Sequence, residues 1–375
     1  MYIDETLSRL QAEGNMRRLP PDSRDSACLD LSGNDYLGIA LRDDLRCEFL
    51  AEAAEHHYSM TASASRLLAS RQTEFESLEK VISDAYGRPT LLFNSGYHAN
   101  TGMIAALSAD KHTLVVADKL VHASIIDGMR LGGAPIARFR HNDYTHLRHI
   151  LATKAGGFRS VLIVAESIYS MDGDRADLHA LVEAKESTPG AMLYVDEAHA
   201  VGAIGPCGLG LVQQEGLGSK VDIVVGTMGK ALGGSGAYGV MDKRLKNFMV
   251  NKARSLIFST ALPPICAAWN RFVFERMQGM DNERSRLAQL SHALYDILGL
   301  EGEPSHIAPL IAGSPERALA ISAELENLGF HVLPIRTPTV PPGTDRLRFS
   351  LCASYTREQL TPLRDCINAL KKGLK

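Results

Sequence analysis

One lysine lies in a loop of small residues, where its amine could act as a nucleophile. The segment Thr227–Lys230 (TMGK) follows the short apolar run Ile223–Val225, and the glycine-rich segment Gly233–Gly236 comes after it. A lysine that is partly desolvated has a lowered pKa, and its neutral amine can then attack an aldehyde carbon. A lysine in an ordinary surface turn would have the same local sequence. The chemical interpretation therefore depends on partners elsewhere in the chain.

Such partners follow four other predicted strands. The polar groups at the strand ends are Asn94–Tyr97, Asp118–His122, Glu166–Ser170 and Asp196–His199. In an open α/β sheet, ligands bind outside the carboxyl ends of the parallel strands. Each group alone could be a turn, a helix cap or a core histidine. Five groups at matching strand ends favour one shared ligand.

The elements that would position these groups alternate along the chain between short apolar strands and helical segments. The predicted strands are 90–93, 113–117, 160–165, 191–195 and 223–225, with helices around 73–87, 143–151 and 177–185. A capping box, Thr73-x-x-Glu76, predicts the start of the first of these helices. The alternation predicts an α/β fold with a mostly parallel sheet between helices.

Beyond residue 265 the pattern changes to that of a smaller α+β domain. Strands are predicted at 307–312, 330–335 and 346–352, and helices across 266–299, from Ser314 to Gly329 and from Thr356 onward. Alternating apolar and polar residues in the last strand predict one buried face and one polar face that carries Arg348. We therefore predict an N-terminal arm (1–40), a large α/β domain (41–265) and a small α+β domain (266–375).

Composition excludes several classes of function. The chain has 375 residues, 45% of them hydrophobic and 22% charged, with a formal net charge of −3. This charge gives no reason to expect nucleic acid or an anionic membrane as a partner. No apolar run approaches the ~18–20 residues that span a bilayer. Six scattered cysteines without a Cys-x-x-Cys pair predict reduced thiols, no zinc site and a cytoplasmic location.

Pyridoxal 5′-phosphate (PLP) is one ligand that would use all of these side chains. Lys230 would bind its aldehyde covalently, and Asp196 would pair with the ring nitrogen and keep it protonated. His199 could donate to the phenolic oxygen, and His122 could cover the opposite ring face. Donors for the phosphate would come from Gly96, Tyr97 and Thr227. A nucleotide site is disfavoured, because the chain lacks a Gly-x-Gly-x-x-Gly after its first strands and a phosphate-binding loop before Lys230.

The same motifs resemble those of the α-oxoamine synthases, fold-type I PLP enzymes that condense an amino acid with an acyl thioester. The resemblance covers nearly the whole chain. The matching segments are 32–38, 92–97, 122–124, 140–143, 170–174, 196–199, 227–230, 258–260 and 336–348. It implies a transferase of the acyltransferase class that works as a homodimer with active sites at the interface.

The resemblance also implies a role for individual residues. Lys230 matches the lysine that binds the cofactor and removes the α-proton, and Arg348 matches the arginine that binds the substrate carboxylate. Asp196, His199 and His122 match the ring contacts described above. Further cofactor contacts are implied for Ser95, Gly96, Tyr97, Glu166, Ser170, Thr227, Ser259 and Thr260, the last two reaching the neighbouring subunit's phosphate. Further substrate contacts are implied for Arg17, Asn34 and Arg336.

Within the family, the segment Arg336–Arg348 is most similar to the member of the biotin pathway. That member condenses L-alanine with a pimeloyl thioester, carried by coenzyme A or by a carrier protein, to give 8-amino-7-oxononanoate. Two departures from the family pattern put the acyl specificity in question. Thr61–Arg66 replaces a glycine-rich loop, and Phe75 stands where relatives have histidine.

Two alternatives therefore stay open. One is another α-oxoamine synthase that uses glycine or a different acyl-CoA, as a glycine C-acetyltransferase does. The other is a non-catalytic partner subunit, although such subunits typically lose the lysine that this chain keeps at position 230.

Overall fold

The computed structural model of the protein describes residues 1–17, 19, 28–70 and 72–373. The chain divides into two compact units. The large unit comprises Leu37–Tyr169 and Arg175–Arg284, and the small unit comprises Met1–Tyr36, Ser170–Asp174 and Ser285–Lys375. The domain boundaries expected after residues 40 and 265 stay predictions.

The strands and helices are numbered in chain order. The strands are β1 (Leu29–Asp30), β2 (Thr90–Phe93), β3 (Thr113–Asp118), β4 (Ile136–Phe139), β5 (Ser160–Glu166), β6 (Ala191–Asp196), β7 (Ile223–Thr227), β8 (Ala237–Val240), β9 (Ile307–Ile311), β10 (Phe330–His331), β11 (Leu333–Ile335) and β12 (Arg346–Ser350). The helices are α1 (Tyr2–Ala12), α2 (Asp43–His56), α3 (Thr73–Tyr86), α4 (Gly96–Leu107), α5 (Ala123–Gly132), α6 (Tyr144–Lys154), α7 (Leu178–Glu186), α8 (Leu211–Gln214), α9 (Lys243–Lys252), α10 (Arg254–Ile257), α11 (Pro264–Met277), α12 (Asp281–Leu298), α13 (Pro315–Asn327) and α14 (Arg357–Gly373).

A mostly parallel sheet forms the centre of the large unit, which confirms the predicted fold class. In the described part of this unit, seven strands pair in the order β2-β8-β7-β6-β5-β3-β4. Only β8 among them runs antiparallel to its neighbours β2 and β7, so β2 points the same way as β3 to β7. The five predicted strands all occur here. β4 and β8 were not predicted.

The sheet is deeply buried, which explains why its strands are nearly continuous apolar runs. Every residue of β3, β7 and β8 is buried, as expected when helices cover both faces. Burying one Val, Leu or Ile side chain contributes roughly 1.5–3 kcal/mol to the free energy of unfolding. The sheet is therefore a rigid support for residues that follow its strands.

Strand register brings the candidate residues to one edge. Glu166 at the end of β5 pairs with Asp196 at the end of β6, and Asp196 pairs with Val225 of β7. Neighbouring strands lie about 4.8 Å apart. Loops that leave β5, β6 and β7 must therefore start within a few ångströms of one another.

Side-chain caps position the helices that follow the strands. Ser95 accepts from the backbone N–H of His98 at the start of α4, and Asp143 and Asp177 cap α6 and α7 in the same way. The capping box predicted at Thr73 is wrong. Thr73 is the first helical residue of α3, and Gln72 occupies the cap position without a side-chain capping bond.

The small unit contains an antiparallel sheet of three strands within the described residues, in the order β11-β12-β9, and a parallel pair of β1 and β10. The alternation predicted for β12 is wrong, because Arg346, Arg348 and Ser350 are as buried as the apolar residues between them. Both helix starts predicted here are confirmed. Ser314 caps α13, and Thr356 and Gln359 cap each other's backbone N–H groups at α14.

No helix in the described ranges combines the length and the apolar character needed to cross a membrane.

Candidate active site

The amine of Lys230 lies beside a buried imidazole. Its Nζ is 2.7 Å from Nε2 of His199. Lys230 follows the end of β7 by three residues, and His199 follows the end of the neighbouring strand β6 by three. Because the two strands are parallel neighbours, the loops that follow them start at the same edge of the sheet, where the two side chains meet. Lys230 is half-buried and His199 is buried.

Asp196 is a buried carboxylate with two hydrogen-bond donors. Its Oδ1 accepts from the backbone N–H of Ala198 at 2.9 Å, and its Oδ2 accepts from the side-chain amide of Asn100 at 2.7 Å. Donors of this kind stabilise the ionised carboxylate and fix its orientation. A buried anion held in this way suits a cationic ring nitrogen as its partner.

His122 and Glu166 lie next to this carboxylate. The backbone N–H of His122 donates to Oε1 of Glu166 at 2.5 Å, and Nδ1 of His122 is 2.7 Å from Oγ of Ser124. Burial, together with the charge of Asp196, raises the pKa of Glu166 well above its ordinary value. His122 as a whole residue is exposed, although partial burial of its imidazole lowers the pKa of that group.

The start of α4 faces the end of β7. A side chain at Gly96 would come within 3.9 Å of Oγ1 of Thr227, so the two segments lie a short distance apart. The first N–H groups of a helix have no acceptor within that helix, and the helix dipole favours an anion there. Asn94 donates from its side chain to Oγ of Ser259 at 2.9 Å, which brings Ser259 and Thr260 to the same loop cluster. Tyr97 is exposed and donates to Asp127 at 2.6 Å.

This donor set fits PLP. The amine, the imidazole and the buried carboxylate match its aldehyde, phenolic oxygen and ring nitrogen, and the start of α4 with Thr227 offers donors for a phosphate. All of these residues belong to the large unit. Lys230, His199 and Asp196 thus lie in one unit, and their sharing of one ligand with the other strand-end groups stays a prediction.

Arg348 and two other predicted residues form a cluster within the small unit. Nε of Arg348 donates to the carbonyl of Ser170 at 2.5 Å, and its Nη2 donates to Oδ1 of Asn34 at 2.9 Å. Tyr36 also donates to Asn34, at 3.0 Å, and burial raises the pKa of Tyr36 to about 12 although the charge of Arg348 opposes this. Ser170 contributes its carbonyl here rather than its hydroxyl.

Arg17 and Arg336 meet in a different part of the small unit. Arg17 donates to Oγ1 of Thr339 at 3.0 Å, and Arg336 donates to the carbonyl of Gly14. The backbone of Thr339 bonds the carbonyl of Arg336 at 2.9 Å. The two arginines therefore connect the segments around residues 15 and 338.

Comparison with known proteins places the chain in a family. Residues 26–367 match the family "Aminotransferase class I and II". The chain belongs to this family. A relative from Chlorobaculum parvum named 8-amino-7-oxononanoate synthase is 43% identical over 99% of this chain and 98% of that protein. A Pasteurella multocida relative, which carries the same name provisionally, is 45% identical over 98% of this chain and 99% of its own.

Solved structures agree with this placement. A serine palmitoyltransferase from S. paucimobilis with a bound PLP–myriocin aldimine has a TM-score of 0.90 and 28% identity, and covers 100% of this chain and 97% of its own. The 8-amino-7-oxononanoate synthase of Francisella tularensis has a TM-score of 0.79 and 26% identity, over 94% of this chain and 100% of its own. Within its family the chain is an α-oxoamine synthase of PLP fold type I, an acyltransferase that depends on PLP.

Sequence reasoning missed four buried residues of this α-oxoamine synthase. They are Asn100, Ser124, Tyr194 and Glu197. The available signal was a polar residue within an otherwise apolar element, as for Asn100 in α4 and Tyr194 in β6. Such a signal shows that a partner exists but does not identify it.

Glu197, the residue after Asp196, is buried, and its two oxygens differ in their hydrogen bonds. Its Oε1 accepts from the backbone N–H groups of Leu211 at 2.8 Å and Val212 at 3.1 Å. No hydrogen-bond partner of Oε2 lies within the described residues. Burial raises the pKa of this carboxyl from about 4.5 to about 7, although the bond from Val212 opposes the shift.

The free energy of unfolding of a Glu197→Gln variant is expected to depend less on pH than that of the wild type. Because the folded pKa lies above the unfolded one, the carboxyl stabilises the wild-type fold below about pH 4.5 and loses that contribution as the pH rises to about 7. At 1.36 kcal/mol per pKa unit the loss is roughly 3 kcal/mol. Between pH 5 and pH 8, the free energy of unfolding of the wild type should fall by roughly 2–3 kcal/mol more than that of the variant. The surface variant Glu186→Gln is the control, and an unchanged pH dependence in Glu197→Gln would contradict the assignment.

Proposed function

We propose that this enzyme condenses L-alanine with a pimeloyl thioester to give 8-amino-7-oxononanoate, a precursor of biotin, with release of carbon dioxide and the free thiol. The observation that carries the proposal is the amine of Lys230, 2.7 Å from His199 and in the same unit as the buried Asp196. The name of a relative that is 43% identical over nearly the full length supports the choice of substrates.

Each proposed role follows from the chemistry of the side chain. PLP, when bound, withdraws electrons from the α-carbon of an amino acid and so weakens the bonds to that carbon. Nζ of Lys230 would hold the cofactor at rest and, when freed, accept the α-proton of alanine. The carboxylate of Asp196 would hold the proton on the ring nitrogen. His199 would orient the phenolic oxygen, and His122 would cover the ring and exclude water.

The remaining predicted contacts are proposals of the same kind. Ser95, Gly96, Tyr97 and Thr227 would bind the phosphate, with Ser259 and Thr260 reaching the phosphate of a second subunit in a homodimer. Glu166 and Ser170 would support the ring and its substrate. Arg17, Asn34, Arg336 and Arg348 would bind substrate. We also propose a cytoplasmic location, which suits thiols that are not paired in disulfides among Cys47, Cys207, Cys266, Cys352 and Cys366.

An Arg348→Lys variant is expected to raise the KM for L-alanine by roughly 10–100-fold. A guanidinium can bind both oxygens of a carboxylate, whereas an ammonium acts as a point charge, and hydrogen bonds to charged groups contribute about 1.5–3 kcal/mol. Steady-state kinetics with alanine varied would measure the change. Arg346→Lys is the matched control, because Arg346 lies on the same strand but pairs with Asp172. A rise in the KM for the thioester alone would assign Arg348 to the acyl substrate instead.

A second candidate is a related synthase that uses glycine or a different acyl-CoA, such as a glycine C-acetyltransferase. The observation that favours it is the altered loop Thr61–Arg66. Arg66 pairs with Glu79 at 2.9 Å, and its guanidinium lies 4.6 Å from the ring centre of Phe75. Ser63 has a φ of 53°, a left-handed conformation that glycine adopts more readily. Arg66 therefore ties the loop to Glu79 and Phe75 of α3.

Substrate competition separates the two candidates. Alanine, glycine and serine would each be tested with pimeloyl, acetyl and palmitoyl thioesters, with thiol release and product mass as readouts. We expect alanine with the pimeloyl thioester to have the highest kcat/KM, and glycine to be lower by roughly 10–200-fold because one methyl group is worth that much in a fitted pocket. Preference for glycine or for another acyl group would favour the second candidate.

A further inference from the structure

A continuous hydrogen-bond chain lies beneath the candidate cofactor site. Nδ2 of Asn100 is 2.7 Å from Oδ2 of Asp196 and 2.9 Å from Oγ of Ser124. The hydroxyl of Tyr194 is 2.7 Å from Oδ1 of Asn100. Oγ of Ser124 is in turn 2.7 Å from Nδ1 of His122. These hydrogen bonds thus connect Asp196, the proposed partner of the ring nitrogen, with His122, the proposed partner of the ring face.

The position of each proton in this chain follows from the chemistry of the groups. A carboxylate only accepts hydrogen bonds, so the amide nitrogen of Asn100 must face Asp196 and its oxygen must face Tyr194. The amide oxygen only accepts, so the Tyr194 hydroxyl must donate. Burial, with the charge of Asp196, raises the pKa of Tyr194 well above its ordinary value, which keeps that proton in place.

The second amide proton of Asn100 determines where the protons of Ser124 and His122 lie. Oγ of Ser124 accepts this proton, which leaves its own hydroxyl proton to donate to Nδ1 of His122. The backbone N–H of Ser124 also points to Nδ1, at 3.2 Å. Nδ1 is therefore an acceptor, and the proton of the neutral imidazole is on Nε2.

We propose that Asn100 is a positioning residue that, with Tyr194 and Ser124, orients Asp196 and sets the tautomer of His122. This inference rests on the cofactor roles proposed above for Asp196 and His122, and it does not depend on which amino acid or thioester reacts. Asn100, Ser124 and Tyr194 are buried, and they come from α4, α5 and β6 respectively. Three packed elements, rather than loops, therefore hold these hydrogen-bonded side chains in place.

The test compares the dissociation constant of PLP among purified variants. Asn100→Asp keeps the volume of the side chain but places a second carboxylate against Asp196, and it should weaken PLP binding by about 100-fold or more. Asn100→Ala removes the donor without adding charge and should cost roughly 10–30-fold. Tyr194→Phe should cost up to about tenfold. If Asn100 only filled space, the order would reverse, since alanine leaves the larger cavity.

Tyr86→Phe is the matched control. The Tyr86 hydroxyl is also buried and donates to the carbonyl of Leu209 at 3.0 Å. This variant should lose about as much thermal stability as Tyr194→Phe but bind PLP within twofold of wild type. The visible absorbance of Asn100→Asp should titrate about one pH unit or more higher than wild type, because an added negative charge favours protonation of its neighbours. The visible absorbance of Tyr86→Phe should titrate at the same pH as that of the wild type.

The tautomer has a separate readout. ¹⁵N spectra of histidine-labelled holoenzyme should show His122 protonated at Nε2 and not at Nδ1, and the opposite result would overturn the proposal. So would a PLP dissociation constant of Asn100→Asp at or below that of Asn100→Ala. Wild-type protein that binds no PLP would instead refute the proposed function, so the two failures are distinguishable.

Discussion

A Lys230→Ala variant is expected to lose the visible absorbance band of the reconstituted enzyme and at least about a thousandfold of its turnover. The band requires a covalent bond between an amine and the PLP aldehyde, and the Lys230 amine is the one beside His199, at 2.7 Å. The same amine is the proposed base for the α-proton, so two functions are lost together. Absorbance spectra and thiol-release assays measure both effects.

Lys80→Ala is the control for this experiment. Lys80 is an exposed lysine that pairs with Asp84 at 2.6 Å, so its removal should leave both the band and the turnover unchanged. Retention of the visible band in Lys230→Ala would show that another lysine binds the cofactor. The roles of Asp196 and His199 would then need a different explanation.

An Asp196→Asn variant is expected to retain part of its PLP but to remove the α-proton of alanine about a thousandfold more slowly. An amide cannot carry the negative charge that holds a proton on the ring nitrogen, so the ring withdraws electrons less strongly. Electrostatic contributions from a single preorganised group reach roughly 10²–10³-fold, and general acid–base effects reach about 10⁴-fold. Exchange of the α-proton of alanine in D₂O, followed by NMR, reports this step without any acyl substrate.

Asp222→Asn is the matched control for the aspartate. Asp222 accepts from the backbone N–H of Leu193, within β6, at 2.8 Å. The Asp222→Asn variant should exchange the α-proton at the normal rate. Exchange in Asp196→Asn within about tenfold of wild type would remove Asp196 from its proposed role.

The sequence allowed prediction of the sheet because its strands are short apolar runs bounded by glycines and polar residues. That Lys230 and His199 lie close together could also be predicted, since the loops after parallel neighbouring strands start at one edge of the sheet. β4 and β8 escaped prediction. β4 interleaves Arg138 with apolar residues, and Gly239 interrupts the apolar run of β8.

The predictions that failed depended on tertiary context. Arg348 and Ser350 alternate with apolar residues in β12, but hydrogen bonds to Ser170 and Asn34 satisfy the guanidinium and allow burial on the face expected to be polar. At α3, the Gln72 amide donates to the carbonyls of Arg66 and Ala69 instead of capping the helix. The partners of Asn100 are 24 to 96 residues away in the chain. Local spacing carries no information about such pairs.

Borohydride reduction of the holoenzyme, followed by proteolysis and peptide mass spectrometry, tests the central claim most directly. Reduction fixes the bond between lysine and cofactor, so the modified lysine can be located in the sequence. We predict a single pyridoxyl-modified peptide containing Lys230. Modification of a different lysine, or of none in protein that shows the visible band, would contradict the assignment of this site.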